Sequence, residues 1–182
     1  AFLTSEEVNK LEQINLINRH ISLQHTLEAF LFCCYTGLRY SDFTSLTEDN
    51  VVEIDKKTWI VFRSVKTDVE VKLPLSLLFE GKPLILLKKH IRHLNKFFTL
   101  KSNSAVNKEL IRIGKLANIE KHFSFHSARH TNATLLMEKG ANITTVQKLL
   151  GHRSISTTQI YSQILESTLV NDLKKCSQTK CK

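Results

Sequence analysis

The sequence predicts a mostly α fold with a small antiparallel β-sheet (α+β). Three observations carry that prediction. Apolar residues recur at helical spacing through most of the chain. One stretch only, residues 51–75, switches to strand-like alternation. The composition, 42% hydrophobic with 5 Gly and 2 Pro in 182 residues, suits one ordinary domain with its own core. It excludes a disordered, collagen-like or low-complexity protein.

The elements follow in order. Thr4-Ser5-Glu6-Glu7 fits a capping box, with Thr4 as N-cap, opening a helix to about Ile17. A second helix, dense in Leu, Phe, Ala and Cys, runs from about Ser22 to Thr36, and Gly37 supplies the left-handed residue that ends it. A short helix from Leu38 to Leu46 stacks behind that turn. Trp59-Ile60-Val61-Phe62 and the alternating Val69-Glu70-Val71-Lys72-Leu73 form a hairpin around the polar turn Val65-Lys66-Thr67-Asp68, as part of a three-stranded sheet. Beyond Pro83 the pattern is helical over 84–98, 104–117, 127–138, 143–150 and 156–173, punctuated at Gly140, Gly151 and Ser154. Residues 1–173 form one domain, and 174–182 a short polar tail that frays.

Lys and Arg number 26 against 17 Asp and Glu, a net charge of +9, which points to an anionic partner, nucleic acid first. No apolar run approaches the ~20 residues that cross a bilayer, so a membrane partner is excluded and a cytoplasmic location expected. The chain opens at Ala1 without a signal peptide and reads as a piece of a longer protein. Cys33 and Cys34 lie in an apolar run and read as buried thiols, while Cys176 and Cys181 sit in a Lys-rich tail with no His cluster nearby.

The residues that carry chemistry lie in four places. His126 and Arg129 are three apart at the start of a helix whose N-cap is Ser124, and that helix start aims free N–H groups and partial positive charge at one spot, which suits a phosphate. Gly37-Leu38-Arg39 sets an Arg just after a helix-ending Gly, with Asp42 one turn later. Lys66 stands on the hairpin turn, with Lys72 and Lys82 near enough to compete for its role. Gly151-His152 is followed, nine residues after the His, by Tyr161 in Thr157-Thr158-Gln159-Ile160-Tyr161.

Two guanidiniums can hold the non-bridging oxygens of a phosphodiester bidentately while staying charged at any working pH. A tyrosine, with its free pKa of ~10, needs a base or strongly positive surroundings to attack. A lysine can give the leaving alkoxide its proton. Metal catalysis fits badly, because Glu138 is the only acid from His122 to Leu165. His122, His126 and His130 are spaced by four, but the Ser124 cap leaves His122 outside the helix, and the Glu of H-E-x-x-H is missing. No metal and no other cofactor is expected.

The stretches TGLRYSD (36–42), the hairpin Lys66, HSARHTNATLL (126–136) and LLGHRSISTTQIYSQI (149–164) together resemble the tyrosine recombinases, or phage-type integrases. The resemblance covers nearly the whole chain as that family's catalytic domain, a fold shared with type IB topoisomerases, and leaves the family's N-terminal DNA-clamping domain outside this fragment. It implies a bacterial mobile element, of the Bacteroides conjugative-transposon kind. It implies site-specific DNA strand cleavage and rejoining through a 3′-phosphotyrosine, independent of metal and ATP, on double-stranded DNA and as a homotetramer.

By the same resemblance Arg39 and Arg129 grip the scissile phosphate, Lys66 protonates the leaving 5′ oxygen, and His126 and His152 flank the phosphate. Tyr161 is the nucleophile, Asp42 holds Arg39, and His130 supports the site. A type IB topoisomerase and a non-enzymatic DNA-binding module remain as rival readings.

Other positions carry plainer expectations. Lys88, Lys89 and Arg92, in a basic run with His90 and His93, are assigned to the DNA backbone, as is Arg153. Trp59, Phe97 and Phe98 are read as core. The turn leaves Lys66 free to swing in when DNA binds. Ile164, Leu165, Leu169 and Leu173 offer an apolar face that docks on a neighbouring copy or packs on its own domain.

Overall fold

The structure, a computed structural model, describes residues 1–14, 16 and 21–162. The helix α1 (Ser5–Gln13) begins with the expected capping box: the Thr4 hydroxyl accepts from Glu7 N, and the Glu7 carboxylate accepts from Thr4 N at 2.7 Å. It ends at Gln13 rather than near Ile17, because Ile14 turns to extended backbone.

The helix α2 (Ile21–Thr36) is the centre of the molecule. Leu23, Leu27, Phe30, Phe32 and both Cys33 and Cys34 are buried, as a helix apolar on every side must be. The two thiols are free, and burial raises their pKa well above the ordinary value, which keeps them inert. Gly37 ends the helix at φ +74°, and a Cβ there would lie 2.5 Å from Leu150 Cδ2 and 2.8 Å from Asn132 Oδ1. No other residue permits that turn and that approach together. The expected helix at 38–46 shortens to α3 (Tyr40–Ser45), leaving Arg39 extended as its N-cap residue.

Strands β1 (Val51–Ile54), β2 (Lys57–Arg63) and β3 (Glu70–Pro74) form one antiparallel sheet in that order, with Ile60 opposite Val51 on one side and Leu73 on the other. Asp55 and Lys56, at φ 50° and 60°, make the tight connection between β1 and β2.

The expected single helix 84–98 is two: α4 (Lys82–Lys89) and α5 (Leu94–Phe98). The turn between them lets the His90 ring stack on Phe97, 4.3 Å between centroids at 11°, and bond Glu28 of α2 at 2.7 Å. Neither Gly nor Pro marks that turn; tertiary contacts make it. The remaining helices are α6 (Asn103–Leu116), α7 (Phe125–Glu138), α8 (Ile143–Leu150) and α9 (Ser156–Ser162). The expected continuation of α9 to 173, its apolar face and the tail with Cys176 and Cys181 lie outside the described residues.

Phe32, Phe43 and Phe97 meet edge-on, and Phe43 also touches Phe98 and Phe125. This aromatic core sits directly under α3 and the start of α7, so the segments bearing Arg39 and Arg129 rest on a rigid floor. Phe97 and Phe98 are core as expected, whereas Trp59 is only half-buried. Among the described residues no helix is long and apolar enough to cross a membrane.

Candidate active site

Arg129 is 3% exposed and held by backbone alone: Nη1 donates to the Gly37 carbonyl at 2.7 Å and Nη2 to the Leu150 carbonyl at 2.5 Å. Both carbonyls lie at helix C-termini, α2 and α8, where the helix dipole is negative and stabilises a cation. Burial, and then the charge of Arg39, pull its pKa down to about 10, which leaves it charged at neutral pH.

Arg39 is set by a second device. Its Nη1 donates to Ser64 Oγ at 3.1 Å and meets Asp42 Oδ2 at 3.4 Å, and Ser64 Oγ in turn donates to Asp42 Oδ1 at 3.2 Å. Asp42, 1% exposed, also accepts from Val65 N at 2.9 Å. One buried carboxylate thereby aligns an arginine and anchors the start of the hairpin turn. The pairing of Asp42 with Arg39 was expected; the part of Ser64 has no sequence signal.

The helix start at α7 differs from expectation. Phe125 N donates to Asn107 Oδ1 at 2.8 Å, and Ser127 N to the Ser124 carbonyl at 2.9 Å. Those two N–H groups are engaged and cannot meet a phosphate. His126 stands exposed in the first turn, its ring edge-on to His130 at 4.6 Å. Partial desolvation of the ring, then the Arg129 charge, lowers its pKa.

Tyr161 is 4% exposed and its hydroxyl lies 2.9 Å from His130 Nδ1. Burial, followed by the His126 charge, lowers the His130 pKa to about 4. A neutral ring in the Nε2–H tautomer accepts the phenol proton at Nδ1. His130 thus touches the Tyr161 hydroxyl itself, a closer part than the supporting one its sequence position suggests. Burial raises the Tyr161 pKa, and the charges of Arg129 and Arg39 oppose that rise. A cavity of about 210 Å³ opens beside the pair, lined by His130, Ile160, Tyr161, Ala1 and Phe2.

His152 follows Gly151, which closes α8 at φ +63°. Its Nδ1 lies 2.9 Å from the fully buried Thr158 hydroxyl, and burial, then Arg129, lowers its pKa to about 4. The second threonine of the Thr-Thr pair therefore orients this imidazole, leaving Nε2 as its other polar atom.

Lys66 is exposed on the turn between β2 and β3, and its charge lowers the His126 pKa. Its competitors are paired, Lys72 with Glu70 at 3.0 Å and Lys82 with Glu12 at 2.9 Å. Among the described residues Lys66 has no carboxylate partner. The backbone of its turn is not loose, however. Thr67 Oγ1 donates to the Gly151 carbonyl at 3.1 Å, and Arg153 Nε donates to the Thr67 carbonyl at 2.7 Å.

Lys88, Lys89 and Arg92 are exposed but stand apart from this cluster. Lys89 pairs with Glu28 at 3.6 Å, roughly 13 Å along α2 from Gly37 at 1.5 Å per residue. Among the described residues no three His, Cys, Asp or Glu side chains gather to hold a metal.

A model of the phage integrase family matches residues 1–167. The chain belongs to that family. A tyrosine recombinase of Thermosipho africanus is 34% identical over 96% of this chain and 61% of its own length. The chain thus spans about three-fifths of that relative. Among solved structures, the integrase-family domain matches a XerA recombinase with TM-score 0.70 at 23% identity, covering 100% of this chain and 66% of the other. It matches a lambda integrase tetramer bound to a Holliday junction with TM-score 0.69 at 21% identity, over 88% of this chain and 47% of the other. These likenesses establish the helical fold with its small sheet.

Proposed function

We propose that this integrase-family domain cleaves and rejoins double-stranded DNA at specific sites through a covalent 3′-phosphotyrosine at Tyr161. The observation that carries the reading is a buried phenol, bonded to an imidazole, within the field of two positioned arginines.

Arg39 and Arg129 bind the non-bridging oxygens and stabilise the charge that grows there during attack. The Tyr161 oxygen bonds to phosphorus as its proton passes to His130 Nδ1. The bond from phosphorus to the 5′ oxygen breaks, and Lys66 supplies the proton that oxygen needs. His126 and His152 flank the phosphate. Rejoining is the reverse, with a 5′ hydroxyl attacking the phosphotyrosine and His130 returning the proton to the phenol. The phosphoester energy is retained in the covalent link, so neither ATP nor a metal is required. The lambda integrase tetramer on its junction supports assembly of four copies during strand exchange.

The test is covalent capture. The protein is incubated with a pool of nicked duplexes of randomised sequence, in EDTA, and DNA remaining attached after denaturation is sequenced. A shared sequence joined by its 3′ phosphate to Tyr161 is expected, and Tyr161→Phe, which keeps the ring, should yield none. An adduct persisting in that variant, or cleavage only with magnesium, would overturn the mechanism.

A further inference from the structure

We propose that Arg153 is a positioning residue for Lys66: it fixes the turn that presents the lysine to the leaving oxygen. The inference rests on the reading of Lys66 as the proton donor.

Three observations converge on it. Arg153 and Thr67 belong to a reciprocal clasp, in which Arg153 Nε donates to the Thr67 carbonyl at 2.7 Å and the Thr67 hydroxyl donates back to the Gly151 carbonyl at 3.1 Å. The other side of the turn is held at Val65, whose N–H donates to Asp42 at 2.9 Å. Lys66 lies between these two fastened neighbours, its own side chain exposed. Finally, the loop of Gly151 lies flat on β3, where a Cβ at Gly151 would come within 2.6 Å of Val71 Cγ2. These contacts tie the backbone that carries Lys66 to the α8–α9 loop that carries His152.

A lysine substitution separates this role from a phosphate grip. Arg153 turns Nε, the inner N–H of its planar fork, onto a backbone carbonyl. A lysine at 153 keeps the positive charge for a phosphate but has no such N–H at that position. The reaction step affected is one proton transfer: the Lys66 ammonium gives its proton to the 5′ oxygen as the phosphorus–oxygen bond breaks. A sulfur in place of that oxygen leaves as a thiolate and needs no proton.

The experiment uses two nicked duplexes of the captured sequence, one with the bridging 5′ oxygen and one with sulfur. Arg153→Ala should cleave the oxygen duplex about 10- to 10²-fold more slowly, the scale of a small misplacement, and the sulfur duplex at close to the wild-type rate. Arg153→Lys should behave like Arg153→Ala. Lys66→Ala, the control, should lose about 10²–10⁴-fold on oxygen and recover on sulfur.

Arg153 is exposed, so these variants do not threaten the core. Equal slowing of Arg153→Ala on both duplexes, with a salt slope of binding reduced by about 1, would make it a phosphate contact and overturn the proposal. Wild-type behaviour of Arg153→Lys would overturn it too. If Lys66→Ala fails to recover on sulfur, the lysine is not the acid and the positioning role falls with it; if it recovers and Arg153→Ala does not, only the positioning role falls.

Discussion

The two arginines and the proton-handling groups are built in different ways. Arg129 is buried and pinned by two helix-terminal carbonyls, and Arg39 is aligned through Ser64 by a carboxylate that is itself buried. Their positions are consequences of how α2, α3, α7 and α8 pack. Lys66 and His126 instead sit exposed on a turn and a first helical turn, while Tyr161 and His130 meet where the last described helix packs on α7. Charge that must be in place before substrate arrives is held by the core. The groups proposed to exchange protons make at most one side-chain hydrogen bond each among the described residues, so their bonds can be remade during a reaction.

The largest expected effect breaks the core-held half. Arg129→Lys keeps a cation but cannot donate to both the Gly37 and Leu150 carbonyls from one planar fork. Cleavage should fall about 10²–10³-fold, as when a transition-state donor is removed. The buried carbonyl left without a partner should also lower stability by about 1–3 kcal/mol. Lys66→Ala, by contrast, should leave the melting temperature unchanged, since its side chain has no described partner to lose. Measuring cleavage and thermal unfolding for both variants tests the comparison. An Arg129→Lys protein as stable as wild type would show that the carbonyl pair does not define the site.

A smaller effect is expected from acid. His130 and His152 have pKa values lowered to about 4, whereas an unfolded histidine titrates near ~6.5. Between those values the unfolded chain binds more protons than the folded one, so stability rises with pH across that window. Above about pH 6.5 the folded state keeps its full advantage; as pH falls toward 4 the advantage is lost. His130 is half-buried and His152 buried, so solvent screens the first contribution more than the second. Melting temperatures read at half-unit steps should decline through this range, and less steeply in His130→Gln. A melting temperature that climbs on acidification would mean that these imidazoles gain protons on folding, which reverses the assignment of His130 as a neutral acceptor.

What the sequence made legible follows from how local each signal is. The Thr4 capping box, the Gly37 stop, the span of α8 and the hairpin turn at Lys66 are all written within a few neighbouring residues, and each is observed. The break at residues 90–93 is not, because His90 leaves the helix for Glu28 and Phe97, partners distant or hidden in periodicity. The same holds in the site. The residue types of Arg39, Arg129, His152 and Tyr161 carry their own chemistry, whereas the backbone carbonyls of Gly37 and Leu150 and the hydroxyl of Ser64 have no such mark. His130 was legible as a residue but not as the partner of Tyr161, since 31 positions separate them. Arg153 was legible as a charge, yet only the folded chain shows its Nε turned inward.

The smallest expected effect concerns Thr158, which is as buried as the core-held groups but acts on His152, an imidazole proposed to flank the phosphate. Its hydroxyl lies 2.9 Å from His152 Nδ1; with the hydroxyl donating, the ring proton sits on Nε2, where it can meet a phosphate oxygen. Thr158→Val keeps the branched shape and removes only that donor. Removing one neutral hydrogen bond costs about 1 kcal/mol, so cleavage should slow about fivefold. The Tm should fall slightly too, because the variant leaves no cavity but does leave a buried imidazole nitrogen without its partner. The two measurements together separate orientation from packing. A slower enzyme with only this small loss of stability shows that Thr158 sets the tautomer of His152. A variant that loses stability but cleaves at the wild-type rate shows that Thr158 is merely a packed core residue, and that the imidazole finds its orientation from the phosphate itself.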